Sequence, residues 1–285
     1  MQSFTGKLFL GIGAVLLFLF AASGINEPSE LILILVVIAL TIWVTAKKKK
    51  SQKESISFQT AWRGLLSEKV DFYRSLNRSD KEDFEQRVIS FFNEIKITGV
   101  DFEIDDECRL LVAASSIIPF WKLPVWNFGE LREVLVYSNR FDENFQVGTD
   151  HHVLGMVGTG GHMSHVMLLS KPSLYRGFEN KTNKMHVGFH EFAHLLDMSD
   201  GEVDGIPEVL LPGELINPWT KLVHREIKKI KQNKSDINSY GATSEAEFFA
   251  VISEYYHKRP KLLARKHPDL YKILKLVYNP NIASA

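Results

Sequence analysis

His190, Glu191 and His194 stand in the order His-Glu-x-x-His, with Phe192 and Ala193 filling the gap. On a helix, residues four apart share a face with Cβ atoms about 5–6 Å apart, so both imidazoles reach one small ion. Glu191 then lies beside the open coordination position, where it can take a proton from water. These five residues propose a metal, a nucleophile and a general base together. A catalytic zinc ion takes three protein ligands and leaves a further position to water. No third histidine follows in the H-E-x-x-H-x-x-G-x-x-H arrangement, because residues 195–200 hold neither the Gly nor the His. A carboxylate on a later helix is the alternative. Glu245, Glu247 and Glu254 are the candidates; Glu247 and Glu254 share a helical face, whereas Glu245 points elsewhere and suits the helix dipole.

The element that must carry the first three residues spans 185–197. It contains no proline and runs into Met198-Ser199-Asp200-Gly201, a helix stop. Val187, Phe189, Phe192, Ala193, Leu195 and Leu196 wrap most of its circumference, which predicts a buried helix. Unpaired buried polar groups cost about 1–3 kcal/mol each. A zinc ion satisfies both histidines and the glutamate; the plainer alternative is a core helix whose polar groups bond other protein groups. Asp197, one turn past His194, is the first candidate to orient a ligand imidazole, ahead of Glu254. A helix-end hydrogen bond is the competing role for Asp197. The carboxylate helix is expected over 244–257, capped by Thr243 or Ser244, with Phe248, Ile252 and Tyr255 on its apolar face.

Around these two helices the pattern predicts an α+β domain. Helices are expected over 58–76, with a break near Ser67, and from a capping box at Ser79-Asp80-Lys81-Glu82 to about residue 95. Others are expected over 105–117, through 221–231 and over 268–277. Residues 133–138 read as a strand, and 153–157 with 165–169 as a strand pair around the glycines of 158–161. That glycine cluster lacks the Lys-Ser/Thr of a phosphate loop. The strand at 166–169 is either an exposed sheet edge open to a peptide or an ordinary buried strand. His151, His152, His162 and His165 have no ligand spacing and read as surface or hairpin positions. His186 precedes His190 by four but encloses no glutamate. Cys108 reads as a small buried side chain.

Lys+Arg and Asp+Glu both number 34, a balance that gives no reason to expect direct nucleic-acid binding. The single cysteine rules out an intramolecular disulfide framework and fits a reducing compartment. Residues 8–25 and 31–46 are predominantly apolar and are separated by the acidic turn Asn26-Glu27-Pro28-Ser29-Glu30. The lysines at 47–50 follow at once, and clustered positive charge at a membrane border stays cytoplasmic. The expectation is an N-terminal transmembrane helical hairpin in the inner (cytoplasmic) membrane, multi-pass, with the catalytic domain in the cytoplasm. A cleaved signal peptide ending near Ala21-Ala22-Ser23-Gly24, or two core helices, are the alternatives. The expected division is 1–50 as anchor with a basic border, 51–57 as linker and 58–285 as one zinc peptidase domain.

Two blocks, Phe189-His190-Glu191-Phe192-Ala193-His194-Leu195-Leu196-Asp197 and Tyr240-Gly241-Ala242-Thr243-Ser244-Glu245-Ala246-Glu247-Phe248-Phe249-Ala250, resemble the Mlc titration factor A peptidase family. More distantly, they resemble the catalytic domain of anthrax lethal factor. Trp62-Arg63, Glu133-Val134-Leu135-Val136-Tyr137 and Ser253-Glu254-Tyr255-Tyr256 extend the likeness over about 58–277. The resemblance implies a zincin-like metallopeptidase fold, with His190, His194 and Glu247 as ligands of one zinc ion and Glu191 as general base. It further implies that Tyr240 donates a hydrogen bond to the tetrahedral intermediate. The implied substrate is a peptide or protein, and the implied partner a glucose-responsive transcriptional repressor. The relatives compared are soluble, whereas this chain carries two apolar stretches. The expected activity is that of a membrane-anchored, zinc-dependent peptidase using a Glu-activated, zinc-bound water. The alternative is a membrane-tethered binding module that sequesters a cytoplasmic transcriptional regulator.

Overall fold

The computed structural model describes residues 36, 38–39, 41–43, 57–123, 128–139, 155–157 and 165–282. The chain divides into two compact units, Met1–Ser55 and Ile56–Ala285. In the first, Val36, Ile38, Ala39, Thr41, Ile42 and Trp43 are helical. A membrane-crossing helix needs about 20 predominantly apolar residues. Among the described residues no helix is long and apolar enough to cross a membrane. This corrects the expected transmembrane hairpin and, with it, the multi-pass membrane localisation. Most of 8–25 and 31–46 lies outside the described residues.

The second unit is α+β with a mixed sheet. Helices α1 (Thr60–Lys69) and α2 (Asp71–Ser75) occupy the predicted 58–76 stretch, but the break falls at Val70, where ψ turns extended. Helix α3 (Arg78–Glu94) is capped by Asn77, whose side chain accepts from Asp80 N at 2.9 Å. The capping box predicted at Ser79 is therefore not the cap; Ser79 sits exposed in the first turn. Strand β1 (Lys96–Val100) follows with no intervening turn. Helix α4 (Asp106–Ile117) is capped by Asp105, which accepts from Cys108 N at 2.7 Å. Cys108 is fully buried, and burial pushes its thiol up to about 12. Strands β2 (Glu133–Tyr137), β3 (Gly155–Val157) and β4 (Val166–Ser170) complete the sheet. Helices α5 (Lys171–Glu179), α6 (Val187–Asp197), α7 (Gly213–Lys231), α8 (Glu245–Lys258), α9 (Pro260–Lys266) and α10 (Pro268–Tyr278) follow. The sequence pattern gave no signal for β1, α5 or α9.

The strand order is β1-β2-β4-β3, parallel across the first two pairings and antiparallel between β4 and β3. Strand β4 is bonded on both sides, so of the two readings of 166–169 the buried strand holds, and among the described strands β3 lies at that edge. Helix α6 packs on β3 and β4, is flanked by α4 and α5, and is crossed by α8. Phe192 fixes α6 in the core, its ring 6.2 Å from Phe91 and 6.0 Å from Phe128. Burial of each such side chain contributes about 1.5–3 kcal/mol. Trp219 of α7 packs on Phe249 of α8, and its Nε1 donates to Gly205 O at 2.8 Å.

The capping assignment is checked by urea unfolding. Asn77→Ala should lower stability by about 1 kcal/mol, and Ser79→Ala should stay within about 0.5 kcal/mol of the parent. A larger loss for Ser79→Ala would restore the capping-box reading.

Candidate metal centre

Helix α6 starts at a histidine cap. His186 Nδ1 accepts from Phe189 N at 3.3 Å, and the two rings stack with centroids 3.7 Å apart. One turn on, His190 and Glu191 are buried, and His194 is partly so. Helix α8 is capped by Ser244, whose Oγ accepts from Glu247 N at 3.1 Å. Glu247 thus occupies the position whose side chain reaches back to the cap in a capping box. Here it turns to the histidines instead. His190 Nε2 lies 2.9 Å and His194 Nε2 3.5 Å from Glu247 Oε2. The two Nε2 atoms are 3.2 Å apart.

These three atoms test whether a metal fits. A tetrahedral ion with bonds of ~2.0–2.1 Å holds its ligands about 3.3–3.4 Å apart. The observed spacings of 2.9, 3.2 and 3.5 Å bracket that value. Donor chemistry agrees. His190 Nδ1 is 2.8 Å from Glu254 Oε1, which is satisfied when Nδ1 carries the ring proton and Nε2 presents its lone pair. Two imidazole lone pairs and a carboxylate oxygen then converge on one point, which suits a cation. Among the described residues His190, His194 and Glu247 are the group able to hold a metal ion. Of the other candidate carboxylates, Glu245 is exposed and lies 3.4 Å from His224, and Glu254 is the partner of His190 Nδ1.

Electrostatics follow from burial beside these charges. When a proton rather than a metal ion stands between His190 Nε2 and Glu247, burial works against a charged His190, but the hydrogen bonds to Glu247 and Glu254 outweigh it and raise the imidazole well above its usual range. Burial also opposes ionisation of Glu247, yet His190 and His194 hold it well below the carboxylate range. Glu191 is pushed up to about 7 by burial, against the charges of His190 and His194.

Residues 43–279 match the sequence pattern of the glucose-regulated metallo-peptidase M90 family. The chain belongs to that family. It is similar to Mlc titration factor A of Escherichia fergusonii, 28% identical over 245 residues, covering 81% of this chain and 90% of that protein. Mlc titration factor A of Pectobacterium atrosepticum is 29% identical over 188 residues, covering 61% of this chain and 69% of that protein. The uncharacterized protein slr2042 of Synechocystis sp. is 26% identical over 228 residues, 76% of this chain and 82% of its own. The resemblance drawn from the two sequence blocks is therefore an M90 peptidase relationship across most of the chain, and membership makes this a metallopeptidase-type chain.

The remaining predicted residues take their places around this His-His-Glu cluster. Tyr240 stands on the turn Ser239–Ala242, its ring centroid 5.9 Å from that of His190 and its side chain about half exposed. Burial and then the charges of Glu247 and Glu191 raise its hydroxyl to about 12, so it stays a donor. The order of Asp197 and Glu254 is reversed. Glu254 holds His190 Nδ1 and also accepts from the backbone N–H of His186, tying the cap of α6 to its first histidine. Asp197, at the helix end, accepts from Gly205 N at 3.0 Å and pins the following loop. His165 is exposed beside Glu130; His151, His152 and His162 fall outside the described residues.

Sequence reasoning missed Gly155. A Cβ there would lie 2.7 Å from Glu191 Cδ and 2.7 Å from Val187 Cγ2, and nearer still to Glu191 Oε1. The edge strand can lie against the glutamate only because position 155 has no side chain. No local pattern marks it, since the contact joins residues far apart in sequence. A flexible carboxylate end yields easily, so Gly155→Ala should fold with a modest stability loss while moving Glu191. We expect kcat to fall roughly a hundredfold with metal stoichiometry unchanged; wild-type kcat in the folded variant would refute the contact's importance.

Proposed function

We propose that this chain is a zinc-dependent peptidase in which His190, His194 and Glu247 hold one zinc ion and Glu191 is the general base. The observation that carries this reading is the convergence of His190 Nε2, His194 Nε2 and Glu247 Oε2 beside a buried glutamate. In this reading the peptidase domain is 58–285, after a linker at 51–57. A bound zinc ion supplies a Lewis acid that makes water acidic near neutral pH and polarises a carbonyl. Glu191 takes the proton of the attacking water and returns it to the leaving amine as the peptide bond breaks. Tyr240 donates a hydrogen bond from its hydroxyl to the oxyanion that develops on the scissile carbonyl, a contact typically worth about 3–4 kcal/mol. Glu254 keeps the His190 ring in its tautomer and orientation. An extended peptide adds to the side of β3 on which no described strand pairs, where Gly155 brings the strand next to Glu191.

Relatives that bear the name Mlc titration factor A favour a second reading, in which this chain binds a transcriptional regulator. Hydrolysis and capture separate cleanly in one variant. Glu191→Gln in the full chain should keep one zinc ion by elemental analysis and lose about 10²–10⁴-fold in peptide hydrolysis. Chelation should abolish wild-type hydrolysis, and added zinc should restore it. Surviving hydrolysis in Glu191→Gln, or a wild type that binds no zinc, removes the peptidase reading. Co-purification of a regulator with this inactive variant supports the binding role.

Glu254 generates a separate expectation. Glu254→Ala should weaken zinc affinity by about 10–100-fold in a competition titration against a chromogenic chelator. Unchanged affinity would show that His190 needs no partner at Nδ1.

A further inference from the structure

Between α7 and the turn that carries Tyr240, residues 232–238 form neither helix nor strand. Something other than regular backbone bonding must hold that segment, and one carboxylate stands out. Asp236 Oδ2 takes Lys184 Nζ at 2.6 Å, Tyr255 OH at 2.9 Å and Lys266 Nζ at 3.1 Å. Its Oδ1 takes His267 Nε2 at 2.7 Å, and Lys184 Nζ also donates to the Asp236 carbonyl. Burial opposes ionisation, but the donors from Lys184, His267, Lys266 and Tyr255 outweigh it and hold the carboxyl well below the usual range.

Two of the four donors, Lys184 and Tyr255, belong to the helices of the metal centre or lie just before them, and the other two come from the C-terminal helices. Lys184 lies two residues before His186, the cap of α6. Tyr255 follows Glu254 on α8. Lys266 ends α9, and His267 caps α10. Beyond Asp236, Ile237 is buried in the core, and Asn238 Oδ1 accepts from Tyr240 N at 3.1 Å. Gly241 then packs against Val251 and Phe248 of α8. Tyr240 is 52% exposed, and its side chain is held by the ring of His190, 5.9 Å away, and by a hydrogen bond with Glu247. Those contacts orient the ring, while the backbone behind it sets where the turn itself stands.

We propose that Asp236 is the positioning residue for Tyr240, clamping the loop before the Tyr240 turn to the helices that carry His190, Glu247 and Glu254. This inference rests on the reading of Tyr240 as the oxyanion donor. The four-donor carboxylate sets where the hydroxyl stands without touching substrate. A misplacement of about 1 Å in such a group can cost up to a hundredfold in rate.

The test is a double-mutant cycle in the full zinc-loaded chain, using a quenched-fluorescent peptide that the wild type cleaves. Asp236→Ala should lower kcat by roughly ten- to a hundredfold with KM changed less than about twofold. In a Tyr240→Phe background the same substitution should change kcat by less than about twofold, because its route is already removed. In the metal-free protein, backbone amides of 238–242 should exchange faster in Asp236→Ala, while those of α6 keep their protection. Should Asp236→Ala not fold, Tyr255→Phe removes one donor and should give a smaller loss of the same kind. Full additivity with Tyr240→Phe, or unchanged exchange at 238–242, overturns the inference. A Tyr240→Phe enzyme with wild-type kcat overturns the Tyr240 reading first, and this inference with it.

Discussion

The buried carboxylate of Glu254 is the joint on which the centre depends. One oxygen accepts from the backbone N–H of His186 and the other meets Nδ1 of His190, so a single side chain of α8 grips both the start of α6 and its first imidazole. Glu247, seven residues earlier on the same face, then necessarily faces the other edge of that ring. The two contacts fix where α8 lies along α6 and how it is rotated. Once that relation is set, His194 comes into range through the helical repeat alone. No loop has to be placed with comparable accuracy for the three atoms to converge.

Placing such a polar cluster inside a core is costly unless every charge is answered. Here the answer is local: Glu247 and Glu254 of α8 face the imidazoles of α6, and Glu191 lies on α6 beside both histidines. Around them the packing is aromatic: Phe91, Phe128 and Phe192 below α6, and Trp219 with Phe248 and Phe249 around α8. That shell resists rearrangement, since close-packed rings cannot shift without opening voids. A polar centre held by two helices and a rigid apolar jacket are thus complementary. Tyr240 is the most exposed of the site's described side chains, and Glu247 and His194 are partly exposed.

The two helices were legible from sequence because their signals are local. Apolar residues wrapping 185–197 marked a buried helix, and Thr243 or Ser244 ahead of the apolar face of Phe248, Ile252 and Tyr255 marked the start of the other, where Ser244 proves to be the cap. Glu247 could be chosen over Glu245 and Glu254 only by family resemblance, since helical phase alone cannot say which of two residues on one face meets the partner. Asp197 was preferred to Glu254 because it is nearer in sequence, while the real partner of His190 lies 64 positions away. Gly155 and Asp236 escaped for the same reason: each matters through side chains that only tertiary folding brings together. Strand β1 was missed because Lys96-Ile97-Thr98-Gly99-Val100 has weak alternation and follows α3 without a turn. The apolar N-terminal stretches suggested spans that no described helix provides.

Cys108 has a practical meaning of another kind. It is the chain's only thiol, fully buried in α4, and burial keeps it protonated far above neutral pH. Thiolate, rather than thiol, is what alkylating reagents and oxidants attack. The folded protein therefore presents an inert background to sulfur chemistry. A cysteine introduced on the Tyr240 turn or along β3 would be the one reactive thiol, so a fluorophore or spin label attached there reports on that site alone.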